Sequence, residues 1–282
     1  TINAQHPTSL GSIAAGTEVV GSAALELQGD ISISYEAITL RGYGISNGGA
    51  LRNISGDNTF GGLITLTSAG GTEISSDSGS LTITGGTTGN VPLVLDGSGD
   101  IVFSTAPLSG SGAITKNGVG TVTLNFPNSN SGALTINAGT ILYGVDNAML
   151  TPAVIVSGGT LDIATFSDMI GAVTLGTLDL SSGTITGSSG LLSATSWTVY
   201  QGTISAQISG VAAALTKSTP GTVSLTRANQ YTGATTISAG ILNIQDSLSL
   251  GWIDGITSIT AGATLEIEGD GLSVPEYITP AG

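Results

Sequence analysis

Apolar and hydroxyl-bearing residues alternate along Thr121-Val-Thr-Leu124, and the same alternation returns along Thr222-Val-Ser-Leu225. This two-residue beat follows a glycine eight times: Gly120 (GTVTL), Gly139 (GTILY), Gly159 (GTLDI), Gly183 (GTITG), Gly202 (GTISA), Gly221 (GTVSL), Gly240 (GILNI) and Gly262 (GATLEI). Looser versions stand at Gly71 and Gly99. A period of two sends successive side chains to opposite faces, so each run predicts a short β-strand with one apolar face. The glycine ahead of it suits the left-handed or crowded backbone of a sharp corner. The eight glycines are 19 to 24 residues apart, about 20 on average.

Short strands bounded by glycine fit a sandwich or barrel, or a parallel β-solenoid in which each rung stacks on the last. The regular rung of about 20 residues favours the solenoid. No stretch predicts a helix; MLTPAV and AAALTK are short and interrupted. The fold class expected is therefore all-β, a parallel β-helix without significant helix.

Two longer echoes support this reading. GTVTLNFPNSNSGALTINAG, residues 120–139, returns 101 positions later as GTVSLTRANQYTGATTISAG, residues 221–240, with no insertion. A shift of 240 lays residues 10–30 on 250–270, matching Leu10 with Leu250, Ile13 with Ile253, Leu25 with Leu265 and Asp30 with Asp270. The matches continue through Glu36 with Glu276 and Ile38 with Ile278 to Gly42 with Gly282. The expectation is a single solenoid segment, residues 1–282, in which residues 241–282 restart a unit begun by residues 1–42. Because the chain opens on Thr1 and ends inside a repeat, it is expected to be a processed or excised piece. Further rungs would continue it, from the same chain or from the next subunit of a filament.

Composition narrows the function. The chain is 40% hydrophobic, only 9% charged, and 44 of its 282 residues are Gly; a typical globular protein is about a quarter charged. The formal net charge is −14, with five Lys and Arg in all, so a nucleic-acid partner is not expected, because phosphate neutralisation needs a basic face. The absence of Cys excludes disulfides, thiolate zinc sites and cysteine nucleophiles. No apolar run reaches the roughly 18 residues that span a bilayer, so direct membrane insertion is not expected either.

Few side chains invite chemistry. His6, the one histidine, sits beside a proline turn, and no GxSxG elbow accompanies it. Asp96 and Asp100 flank the glycines of LDGSGDIVF, a loose echo of a calcium loop, and are the metal candidates. The other acids, including Asp162 and Asp179, are spread about one per rung. Stacking could pair two of them at glycosidase spacing, yet nothing marks a pair. Trp197 and Val199 should face the core, opposite Thr198 and Tyr200, while Trp252 is a candidate exposed contact. No catalytic residue and no cofactor are expected.

GAITKNGVGTVTLNFPNSNSGALTINAGTI and AALTKSTPGTVSLTRANQYTGATTISAGIL resemble the autotransporter-associated β-strand repeat of large bacterial surface proteins. The second copy keeps Leu215, Thr216, Lys217, Gly221, Asn229, Tyr231, Thr232, Gly233, Ile237 and Gly240; the first has Asn130 in place of the Tyr. GALRNISGDNTFGGLITL, residues 49–66, resembles segments found between such repeats. The resemblance implies a right-handed parallel β-helix, exported by type V secretion and displayed at the outer membrane or released. No export signal and no translocator barrel is read in these 282 residues, so the link to an autotransporter rests on the repeats alone. The function expected is a non-enzymatic structural or adhesive segment, a rigid stalk or fibre-forming unit. Its partners would be other copies of the repeat, and host or surface glycans. The alternative is a carbohydrate-binding or polysaccharide-degrading β-helix.

Overall fold

The structure, a computed structural model, describes residues 1–150 and 152–280. They fall into two compact units, Thr1–Leu150 and Thr151–Gly282. Gly282, the counterpart of Gly42, lies outside the described residues. Among the described residues the regular structure is β-strand, with one 3-10 turn at Ile45–Asn47.

Each unit is a parallel β-solenoid with three strands per turn. In the first unit, one face carries Leu25–Gln28, Leu51–Ser55, Thr72–Ser76, Leu93–Asp96, Ile114–Lys116 and Leu134–Ile136. A second face carries Asp57–Phe60, Ser80–Ile83, Asp100–Phe103, Thr121–Leu124 and Thr140–Tyr143. Shorter strands such as Ile38–Leu40 and Ile64–Leu66 make the third. In the second unit the corresponding faces include Ser196–Val199 and Leu215–Lys217, then Gly183–Thr186, Gly202–Ile204, Thr222–Leu225 and Ile241–Ile244, then Gln207–Gly210 and Gln230–Tyr231. Among the described residues the rung-to-rung pairings are parallel, so the backbone groups of a strand inside a sheet are satisfied by the turns on either side.

Rung length varies while the inward parity holds. Partners are 19 residues apart at Thr121↔Thr140 and 27 apart at Ser32↔Thr59. In the second unit they are 16 apart at Leu191↔Gln207 and 24 apart at Thr160↔Thr184. The corners absorb the difference. Inside the first unit, one column runs Ile33, Phe60, Ile83, Phe103, Leu124, Tyr143, every member buried. A full burial of each such side chain is worth about 1.5–3 kcal/mol.

The glycine spacing predicts that the aliphatics two residues after each motif glycine stack in one column. Val122↔Ile141 and Leu161↔Ile185↔Ile204 do. The next step departs: Ile204 pairs with Leu225, and Gly202 takes Val223. The slip is two residues, so both side chains stay inside; a slip of one would turn the strand inside out. Gly183 and Gly202 accordingly open their strands, whereas Gly120, Gly139, Gly159, Gly221 and Gly240 precede theirs.

Residues 240 apart pair alike in their own units. Ile2↔Leu25 and Ala4↔Leu27 correspond to Leu242↔Leu265 and Ile244↔Ile267, and Thr17↔Ile38 corresponds to Thr257↔Ile278. The Thr17 hydroxyl donates to Glu36 Oε1 at 2.7 Å, and the Thr257 hydroxyl to Glu276 Oε1 at 2.9 Å, both onto buried carboxyls.

Gly233 turns the corner between Gln230–Tyr231 and Thr235–Ile237 so close to the preceding rung that an added Cβ would run into the Ala213 carbonyl. Gly233→Ala should therefore cost about 1–3 kcal/mol. Thr216→Ala, on an outward-facing position of the neighbouring strand, should stay within about 0.5 kcal/mol. Equilibrium denaturation of the two variants checks this, and equal midpoints would refute the close-packed corner.

Candidate functional site

Leu215 and Lys217 are two residues apart on one strand and so share a face. The repeat's lysine is therefore carried inward: Lys116 and Lys217 are both buried. Lys217 Nζ donates to the Thr219 carbonyl, to Thr219 Oγ1 at 3.3 Å and to the Ala239 carbonyl at 3.2 Å, one rung on. Lys116 Nζ donates to the Gly118 carbonyl and to the Ala138 carbonyl at 3.5 Å. Burial pushes the Lys217 ammonium down to about 8. It pushes Lys116 down as well, against the pull of Asp96 and Asp100.

The repeat's asparagine joins three rungs. Asn229 Oδ1 accepts from the Ile208 N–H at 3.1 Å on one side, and Nδ2 donates to the Ser249 carbonyl at 2.7 Å on the other. Asn128 does the same with the Leu108 N–H at 2.7 Å and the Ala148 carbonyl at 2.8 Å. Tyr231 is buried and its hydroxyl shares a 2.9 Å hydrogen bond with Thr235 Oγ1. Its counterpart Asn130 is also buried, donating to the Gly112 carbonyl at 3.1 Å and accepting from the Gly132 N–H at 2.9 Å. Either residue fills the corner with its polar atoms satisfied.

Asp96 and Asp100 sit at the two ends of one corner, each with an oxygen engaged by backbone. Asp96 Oδ1 accepts from Gly97 N–H at 2.6 Å, and Asp100 Oδ1 from Thr121 N–H at 2.8 Å in the next rung. Asp30 and Asp57 use the same device, accepting from the Asp57 N–H at 2.7 Å and the Ser80 N–H at 3.0 Å. Among the described residues no group of three or more acidic, His or Cys side chains is placed to hold a metal ion. His6 is exposed and bonded within its own turn, Nδ1 to Thr8 Oγ1 at 3.0 Å. Asp162 closes a turn on the Ala164 N–H at 2.8 Å, and Asp179 is exposed in a loop.

The densest charge lies in the first unit. Arg52 pairs with Asp77 at 2.5 Å and with Glu26 at 3.7 Å. Glu73 is buried nearby. Burial first and the Asp96 charge second raise it to about 7, with Arg52 opposing.

Trp197 and Val199 face the core as expected, with the Trp197 indole N–H donating to the Ser209 carbonyl at 3.2 Å. Trp252 stays 54% exposed. It borders a feature of the second unit that linear reading misses, two adjoining hollows of ≈ 480 and ≈ 310 Å³ that share Gln207 and Ala228. Arg227, Asp246, Ser188 and Ser189 line the first, and Trp252, Ile253, Leu248 and Gln230 the second. They come from rungs about 20 residues apart, which no local motif could reveal.

The recurrent Lys, Asn, Tyr and Gly residues are thus corner and core parts of a parallel β-solenoid. Residues 114–142 and 215–244 match the passenger-associated-transport-repeat, and the chain carries this repeat twice. The chain is also similar to the adhesin BmaC autotransporter of Brucella suis biovar 1 (strain 1330), 30% identical over 226 residues. That alignment covers 74% of this chain and 6% of the relative's length. No solved structure matches the chain.

Glu73 and Lys217 predict opposite slopes of stability with pH. Glu73 keeps its proton in the folded state between 4.5 and about 7 while the unfolded chain loses it, so stability falls as pH rises there. Lys217 has lost its proton in the folded state between about 8 and 10.5 while the unfolded chain keeps it, so stability rises there. Denaturation across both windows should show Glu73→Gln flattening the first slope and Lys217→Met the second. Profiles parallel to the unsubstituted chain would contradict both assignments.

Proposed function

We propose that this chain is a non-enzymatic adhesive segment of an exported bacterial surface protein, a stiff β-helical spacer that also presents a binding surface. One observation carries the reading: both passenger repeats commit their recurrent residues to corners and core, leaving the outward positions free to vary. The similarity to an autotransporter adhesin supports the adhesive role and an extracellular or outer-membrane location. Stiffness follows from the ladder, since each rung is hydrogen-bonded to two others and contacts only its neighbours. Further copies of the same repeat are the natural partners for such a stack, because an added rung meets the same inward parity. Host or surface glycans are the proposed external partners.

The experiment is display of residues 1–282, fused to an autotransporter barrel, on a non-adherent bacterium. Attachment to cultured host cells should rise several-fold over cells displaying the barrel alone, and soluble chain should compete it away. The purified chain should release no reducing ends or unsaturated sugars from bacterial or plant polysaccharides, with or without calcium. Unchanged attachment would refute the adhesive role. Sustained sugar release abolished by one Asp substitution would make the chain an enzyme.

A further inference from the structure

We propose that the groove beside Trp252 in the second unit binds a neutral saccharide chain; this rests on the adhesive reading above and deepens it, naming the site and the neutral character of the glycan. The groove joins an apolar platform to a polar wall. Trp252 is half exposed beside Leu248 and Ile253, and the adjoining hollow presents Arg227 and Asp246 across the shared Gln207. An indole face next to convergent hydrogen-bonding groups suits a pyranose ring, which offers an apolar C–H face and a hydroxyl rim.

The charges select a neutral ligand. Arg41 and Arg52 are held in ion pairs and both lysines are buried. Arg227 has no carboxylate within ion-pair distance among the described residues. Its Nη1 donates to the Gly187 and Ser188 carbonyls at 2.9 and 2.7 Å, which pins the guanidinium across the rungs. Nε and Nη2 make no hydrogen bond among the described residues. Asp246 spends Oδ1 on the Leu248 N–H at 2.8 Å, and Oδ2 makes no hydrogen bond among the described residues. A donor and an acceptor of opposite charge therefore face one groove. A hydroxyl uses both, whereas an anionic ligand meets Asp246 and a net charge of −14. An extended peptide finds little strand to pair with: Gln207–Gly210 is already paired on both sides, and Gln230–Tyr231, the last strand of that sheet, is two residues long with its Tyr231 carbonyl taken by the Trp252 N–H.

The platform is held rigidly, which lowers the entropic cost of binding. Asn229 bonds the Trp252 loop through its N–H to the Leu248 carbonyl at 2.9 Å and through Nδ2 to the Ser249 carbonyl. Trp252 N–H donates to the Tyr231 carbonyl at 3.0 Å. Gly251 (φ +92°) lies so close to that carbonyl that a Cβ would collide with it. The first repeat has the same asparagine, Asn128, but Phe126 and Ser129 stand where the second has Arg227 and Gln230. The frame is common to both copies, and the groove's polar wall belongs to the second.

The test titrates the 282-residue chain with neutral cello-, malto-, xylo- and N-acetylglucosamine oligomers, reading indole emission and heat. Trp197 is fully buried, so a change in emission reports Trp252. Saturable binding is expected to at least one neutral series. Trp252→Ala should weaken it about tenfold or more, with Arg227→Met several-fold weaker, Trp252→Phe intermediate, and Phe126→Ala unchanged. These are surface positions, and unaltered unfolding midpoints confirm that binding, not folding, is lost. No saturable binding of any neutral oligomer overturns the proposal. So does binding indifferent to Trp252→Ala, or tighter Trp252-dependent binding of uronic-acid oligomers or of a peptide. If displayed cells attach but no saccharide binds, the groove assignment falls and the adhesive reading stands. If the groove binds saccharide while displayed cells fail to attach, the reverse holds.

Discussion

Every other feature of this chain depends on one constraint, the parallel register that stacks each short strand on the strand about one turn earlier. Backbone groups leave a strand sideways and must find the adjacent rung, while the side chains alternate between interior and solvent. The interior column Phe60, Ile83, Phe103, Leu124, Tyr143 exists because every intervening corner returns the chain with the same parity. Rungs can differ by several residues, and Ile204 can pair two residues beyond its motif partner, without exposing the core. A one-residue change within a strand would exchange the two faces along its whole length.

Corners are the cost of that register. At each one, carbonyls and N–H groups leave the ladder and would be stranded in a dry interior. The repeat answers with polar side chains of suitable reach. Lysine covers a cluster of carbonyls from two consecutive rungs, asparagine satisfies one N–H and one C=O in opposite directions, and aspartate accepts an N–H from the following rung. Burying an ammonium is costly, as the lowered Lys217 value shows. Leaving several buried carbonyls unpaired costs about 1–3 kcal/mol each, which is enough to offset it. Charge here serves the corner, and the arrangement needs no carboxylate partner.

The strands, their two-residue beat and the rung length of about 20 were legible because each is a local pattern repeated many times. The third face was not, since strands such as Thr87–Thr88 and Gln230–Tyr231 are too short to show any period. The inward lysine could have been found: Leu215 and Lys217 share parity, and an apolar Leu fixes which face is buried. Habit assigns lysine to the surface, and only the carbonyl cluster at the corner reverses that expectation. Asp96 and Asp100 looked like ligands because glycines separate them; in the fold each also has a corner duty, Asp96 accepting from the Gly97 N–H and Asp100 from the Thr121 N–H of the next rung. The groove was invisible for a different reason. Ser188, Gln207, Arg227, Asp246 and Trp252 are separated by whole rungs, and only stacking brings them together.

Stacking also explains how such a chain can carry function without a catalytic centre. About half of each strand's positions point outward, and they have no duty to the core. Phe126 and Arg227 occupy the same place in two copies of one repeat, and both copies keep the buried lysine, the asparagine bridge and the glycine corner. An outward position can therefore change from apolar to cationic while the rung beneath it stays folded. Since consecutive rungs lie only about 4.8 Å apart, a few such changes on neighbouring rungs assemble a contiguous surface from residues remote in sequence. In a solenoid, a binding surface is written across the rungs, and the repeat sets only the spacing at which it is written.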